Sequence, residues 1–263
     1  MSARLAFTAT AAWIALAVLV SGARPGRYTP PRYRSGSAPP NQIAAVGGGE
    51  VFLEVDLSAS GAVTGIVPLR TTPPFTESVI STVRGWTFSP AVQEMIPDPD
   101  EVPQTPANIL VKSKVFVAAV FRPPVLNGPS MGVPPKDVGS APDDMASTSS
   151  AVLPTYPPNA RFDGTVLVEI HVSTTGAPLD SRVVQSAPGL DGAALAAIAA
   201  WSFRPARVNG TLVDSYAYVA FGLRAPVGIG TPTTPAPPTG ATPPTGPTPP
   251  TGRGGLGSLI PSF

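Results

Sequence analysis

One histidine, two glutamates at matching positions and one Asp-Asp pair are the residues of this chain best suited to catalysis or metal binding. His171 is the only histidine in 263 residues, and there is no cysteine. A histidine acting as base or ligand needs a second ionisable group beside it. Around His171 the sequence offers only the alternation Val166-Leu-Val-Glu-Ile-His-Val172, so it reads as a solvated strand histidine, with Asp56 at its counterpart position. Glu54 and Glu169 stand 115 residues apart in equivalent contexts. A general acid–base pair needs two groups in one site. One glutamate per unit reads instead as a solvated or edge-protecting charge. Asp143-Asp144 lacks the glycine and spaced carboxylates of a calcium loop. No serine is preceded by a nucleophile-elbow motif. No catalytic residue, metal site or cofactor is expected, and the chain is expected not to be an enzyme.

The same offset governs the whole sequence. Gly49-Glu-Val-Phe-Leu-Glu-Val-Asp-Leu57 returns as Gly164-Thr-Val-Leu-Val-Glu-Ile-His-Val172, and Gly61 returns as Gly176. Trp86-Thr-Phe88-Ser-Pro90-Ala91 returns as Trp201-Ser-Phe203-Arg-Pro205-Ala206. A gap-free duplication of this length points to two copies of one small domain rather than a solenoid.

Charged residues make up 13% with a net charge of +1, so no basic surplus points to nucleic acid. Pro (36) and Gly (26) are abundant enough that much of the chain should be linker. Residues 1–23 read as a signal peptide cleaved near Ala23 or as a membrane anchor. Residues 5–20 are apolar apart from Thr8 and Thr10, and Ser21-Gly22-Ala23 suits a signal peptidase. Arg24, Arg27, Arg32 and Arg34 follow, on the far side of any uncleaved anchor. Either way the bulk of the chain is expected in the cell envelope or periplasm. Residues 24–38 then read as a Pro/Arg-rich stalk, 39–122 as a first domain, 123–155 as a linker, 156–224 as a second domain, and 225–263 as a disordered Pro/Thr/Gly-rich tail.

Each domain reads as β-β-α-β. Val51, Leu53, Val55 and Leu57, like Val166, Val168, Ile170 and Val172, alternate with an outer row, as in a half-buried strand. Gly61 and Gly176 sit where a hairpin turn needs positive φ. A second strand follows at 64–71 and 181–186. A helix comes next, with Asp191 or Thr76 in the capping position and Leu190 and Leu195 as a hydrophobic staple. Ala194, Leu195, Ile198 and Trp201 then share one face, as do Val79, Ile80, Val83 and Trp86. Trp86 and Trp201 read as core anchors. A last strand closes each unit, at 114–122 and 213–223. The expected fold class is α+β: two tandem domains, each a three-stranded antiparallel sheet with one helix on a face, joined by Pro-rich linkers.

With these elements in place, the second unit resembles the TonB C-terminal domain family, the energy transducers. The matching residues are Tyr156-Pro157, Ala160-Arg161, Gly164, Gly176, Leu190-Asp191, Trp201-Ser-Phe203-Arg-Pro205-Ala206 and Tyr216-Ala-Tyr218-Val-Ala-Phe221. The first unit is a more divergent match, carried by Trp86, Phe88 and Pro90. The resemblance implies β-augmentation: an extended peptide of an outer-membrane transporter adds to the edge of the last strand. It assigns partner contact to Val213, Tyr216, Tyr218, Val219 and Phe221, flanked by Tyr156 and Pro157. An uncapped edge strand also leaves homodimerisation through the last strands open. Such transducers carry a histidine in the membrane helix, and residues 5–20 have none. Coupling to an inner-membrane motor is therefore set against a second reading, an envelope scaffold whose two domains pair with each other or with a second copy.

Overall fold

The computed structural model describes residues 23–42, 47–100, 105–122 and 141–225. The first repeat contains β1 (Arg24–Thr29), β2 (Tyr33–Ser35), β3 (Gly49–Leu57), β4 (Val63–Arg70), α1 (Phe75–Arg84), β5 (Thr87–Phe88), β6 (Ala91–Ile96), β7 (Ala107–Val111) and β8 (Ser113–Phe121). The second contains β9 (Ser147–Ser150), β10 (Gly164–Val172), β11 (Pro178–Gln185), α2 (Asp191–Ile198), β12 (Ser202–Arg204), β13 (Ala206–Val208), β14 (Thr211–Val213) and β15 (Ser215–Leu223).

The repeat persists in fine detail. The β3–β4 ladder slips between Phe52 and Leu53 and between Asp56 and Leu57. The β10–β11 ladder slips at the equivalent Leu167/Val168 and His171/Val172. Both hairpins close through a glycine at positive φ, Gly61 at 85° and Gly176 at 84°. A side chain at either would collide with the carbonyl of Phe88 or Phe203, whose amide bonds back to the glycine oxygen at 3.1 and 2.9 Å. This contact explains why the turn glycine and the Trp-x-Phe motif recur together. Both tryptophans of the motif are buried and donate the indole N–H at 2.8 Å to a carbonyl of the preceding strap, Ser37 for Trp86 and Val152 for Trp201.

The helix starts differ from the capping expectation. Asp191 is the first residue of α2, and Leu190 precedes it without a side-chain cap. The Asp191 carboxylate instead accepts from the Ala187 N–H at 3.0 Å and the Ser186 hydroxyl at 2.6 Å. Thr76 does the same in the first repeat, accepting from the Thr72 N–H at 2.9 Å. These side chains pin the loop ahead of each helix rather than the helix's own amides.

The larger correction concerns the relation of the repeats. They form one six-stranded sheet, in the order β11-β10-β15-β8-β3-β4. The two last strands meet in parallel at its centre, with Ala217 opposite Phe116 through Gly222 opposite Phe121. Equivalent strands lying parallel are related by an axis along their length, and such a rotation turns the sheet over. The helices accordingly lie on opposite faces. One core joins Val79 and Val83 of α1 to Val51, Leu53, Val117 and Ala119. The other joins Ala194 and Ile198 of α2 to Val168, Ile170, Val219 and Phe221, with Phe116, Ala118 and Val120 of the first repeat added. Strand β8 thus sends alternate side chains into the two cores.

Covering both faces uses segments expected to be linkers. Residues 24–38 carry β1 and β2, and Tyr33 and Ala38 pack in the first core beside Leu167 and Tyr218 of the second repeat. Residues 141–155 bury Ala141, Met145, Ala146 and Ala151 against Phe52 and Phe116. Residues 1–22, 123–140 and 226–263, with the signal or anchor, most of the linker and the tail expected there, lie outside the described residues. No helix among the described residues is long and apolar enough to cross a membrane.

Candidate functional site

The expected receiving strand is β15. Val219 and Phe221 are fully buried, and β15 pairs along its whole length with β10 on one side and over Ala217–Gly222 with β8 on the other. Ala217–Gly222 therefore present no free edge, contrary to expectation, while Ser215 and Tyr216 pair with β10 alone. Val213 belongs to the separate β13–β14 hairpin, opposite Ala206. Tyr156 precedes a turn that Pro157 opens, with the Ala160 N–H donating to the Pro157 carbonyl at 3.1 Å and the Tyr156 hydroxyl to the Phe162 carbonyl at 3.2 Å. Gly164 opens β10 opposite Leu223, and Phe88, Phe203 and the two tryptophans are buried. Pro90 and Pro205 each precede the strand that leaves the motif, β6 or β13.

What β15 does carry is a polar knot. Glu169 was expected on a solvated face, yet it is 2% exposed. Its Oε1 accepts from Arg32 Nη2 at 2.5 Å and Arg182 Nη2 at 3.0 Å, and the Tyr218 hydroxyl lies 3.4 Å from Oε2. The Tyr33 amide donates to that hydroxyl at 2.8 Å. Arg32 also sits 4.8 Å over the Tyr216 ring, which stacks on His171 at 5.0 Å. The hydrogen bond to Glu169 raises the Arg32 pKa above its ordinary value. Burial, and then the Glu169 charge, push the Tyr218 phenol well above 10. Arg32 and Tyr33 come from the first repeat and the rest from the second, so the knot ties the repeats together. Sequence reasoning missed Arg32, Arg182 and Tyr33. The available signal was Tyr218 in a row of apolar residues, since a buried hydroxyl needs partners.

The equivalent position in the first repeat is simpler. Glu54 pairs with Lys114 Nζ at 2.7 Å, and Lys114 reaches Asp144 at 3.6 Å. A cleft of about 400 Å³ beside it is lined by Asp56, Ser58, Lys112, Lys114 and Asp144. Its charges are of both signs, and Lys114 is already engaged. His171 lies 3.6 Å from Asp214 in a half-exposed pair. Among the described residues no three His, Cys, Asp or Glu side chains converge as a metal set.

The open edges of the sheet are β4 and β11, each paired on one side only. They differ in chemistry. β4 reads Val63-Thr-Gly-Ile-Val-Pro-Leu-Arg70, with Pro68 opposite Leu53. β11 reads Pro178-Leu-Asp-Ser-Arg-Val-Val-Gln185, and Val183 stands where β4 has Pro68. A proline inside an edge strand turns its missing N–H outward, so β4 has lost a donor that β11 keeps.

Comparison with known families finds one match. Residues 152–223 fit the model of the Gram-negative bacterial TonB protein C-terminal. The matched stretch begins at the carbonyl that holds Trp201 and ends with β15. No curated protein matches the chain. The second repeat is therefore similar to the C-terminal domain of TonB proteins.

Proposed function

We propose that the protein is an exported, non-catalytic scaffold of the cell envelope and not a motor-coupled transducer. The observation that carries this reading is the parallel pairing of β15 with β8. In the family, the last strand is the expected receiver of a transporter peptide. Here the first repeat occupies that position permanently, because it is part of the same chain and its effective concentration is high.

The test is a titration of isotope-labelled protein with extended peptides from the coupling segments of outer-membrane transporters. The expected result is no movement of the β15 amides. Shifts confined to alternate β15 amides, with loss of contacts between β8 and β15, would establish a transducer-like receiver instead.

A further inference from the structure

The outer edge of β11 has a property that the equivalent edge of β4 lacks. Between its two slips, β11 pairs regularly with β10, as Val183 with Val168, Arg182 with Glu169, Ser181 with Ile170 and Asp180 with His171. By analogy with Pro68, Ser181 and Val183 are the residues whose backbone groups face outward. Asp180 is exposed and has no hydrogen-bond or ion-pair partner among the described residues. The Arg182 side chain touches Glu169 through one nitrogen and is still 54% exposed. Leu179 is 58% exposed, beside a half-buried Val183.

These residues are complementary to themselves. When two β11 strands run antiparallel with Ser181 facing Ser181, Asp180 of each copy lies opposite Arg182 of the other. At one slip the extra residue, Leu179, comes next to Val183 of the other copy. Within the regular stretch each charge meets its opposite. The same operation on β4 about Ile66 places Gly65 opposite Val67 and Thr64 opposite Pro68, with no charge pair and a missing donor. We propose that two copies of this chain associate through β11 in this register, an isologous contact that continues the sheet from one copy into the next. Opposite charges two residues apart on an edge are also a way of keeping it soluble, and the experiment must separate the two uses.

The chain has no cysteine, so single substitutions give clean reporters. Ser181→Cys places two thiols across the dyad and should yield a disulfide-linked dimer of the full-length protein under mild oxidation. Ile66→Cys, at the matching position of β4, should remain monomeric, as should Val183→Cys, whose neighbour in this register is Leu179. Adding Asp180→Lys to Ser181→Cys should slow linking by about tenfold, as two cross-strand ion pairs become repulsions. Ser181→Cys linking no faster than Ile66→Cys would overturn the proposal. Equal linking at 181 and 183 would overturn the register. Neither result depends on whether β15 receives a peptide, so the scaffold reading stands or falls separately.

Discussion

The two repeats share their hairpin slips and turn glycines but carry different chemistry at one spot. In the first, Phe116 lies on the face away from its own helix, Glu54 pairs with Lys114, and both stay near the rim. In the second, Tyr218 takes the place of Phe116, and Glu169 is enclosed by Arg32, Arg182 and that hydroxyl. The difference follows from what covers each face. Apolar side chains of Met145, Ala146 and Ala151 cover Phe116. The strap that covers Tyr218 brings an arginine and a backbone amide that need partners. The first repeat is therefore closed by packing and the second by a polar knot, and the knot fixes which segment lies over which face.

The most severe way to break this arrangement is Val219→Pro. At a true edge with its N–H outward, proline would be tolerated; in the centre of the sheet it removes a ladder bond and should abolish the folded state, seen as loss of the cooperative melt. Removing Glu169 comes next. Glu169→Ala strands two arginines, both half exposed and able to rehydrate, and the expected cost is about 2–3 kcal/mol in denaturant unfolding. Glu54→Ala should cost about 1 kcal/mol or less, because its partner is already near solvent. Equal costs would remove the distinction between the repeats. Tyr218→Phe converts the second repeat towards the first and leaves the Tyr33 amide without its acceptor, for about 1–2 kcal/mol.

The smallest effect is a titration. Burial, with a smaller contribution from Asp144, pushes the Tyr28 phenol up to about 12. The Tyr218 phenol is also raised. A raised phenol means that the folded state holds its proton where the unfolded chain has released it. The stabilisation is therefore full below pH 10 and fades as pH rises from 10 towards 12. Tyr28→Phe should flatten part of that alkaline decline in melting temperature, and an unchanged slope would count against it.

Much of this architecture was legible in the sequence. The duplication, both hairpins, both helices and the two tryptophan anchors follow from Gly61, Gly176 and the Trp-x-Phe spacing. The merging of the repeats did not follow from the family resemblance, which suggests an edge at β15. A signal was nonetheless present: Val115-Phe-Val-Ala-Ala-Val-Phe121 and Ala217-Tyr-Val-Ala-Phe-Gly-Leu223 are continuous apolar runs. A strand with one wet face alternates, whereas a parallel-paired central strand is apolar throughout. Gly222 marks the same seam, since a side chain there would meet the Phe121 ring. The covering straps were read as stalk and linker because Pro, Arg and Ser dominate them. Their burial depends on a distant repeat, and no local pattern reports that.

Amide hydrogen exchange along β15 tests the central claim most directly. With β10 on one side and β8 on the other, amides from Ala217 to Gly222 should all exchange slowly, through global unfolding alone. Fast exchange at every second residue, at the rate of the outward amides of β11, would mean that β15 is an edge and that the repeats do not share a sheet.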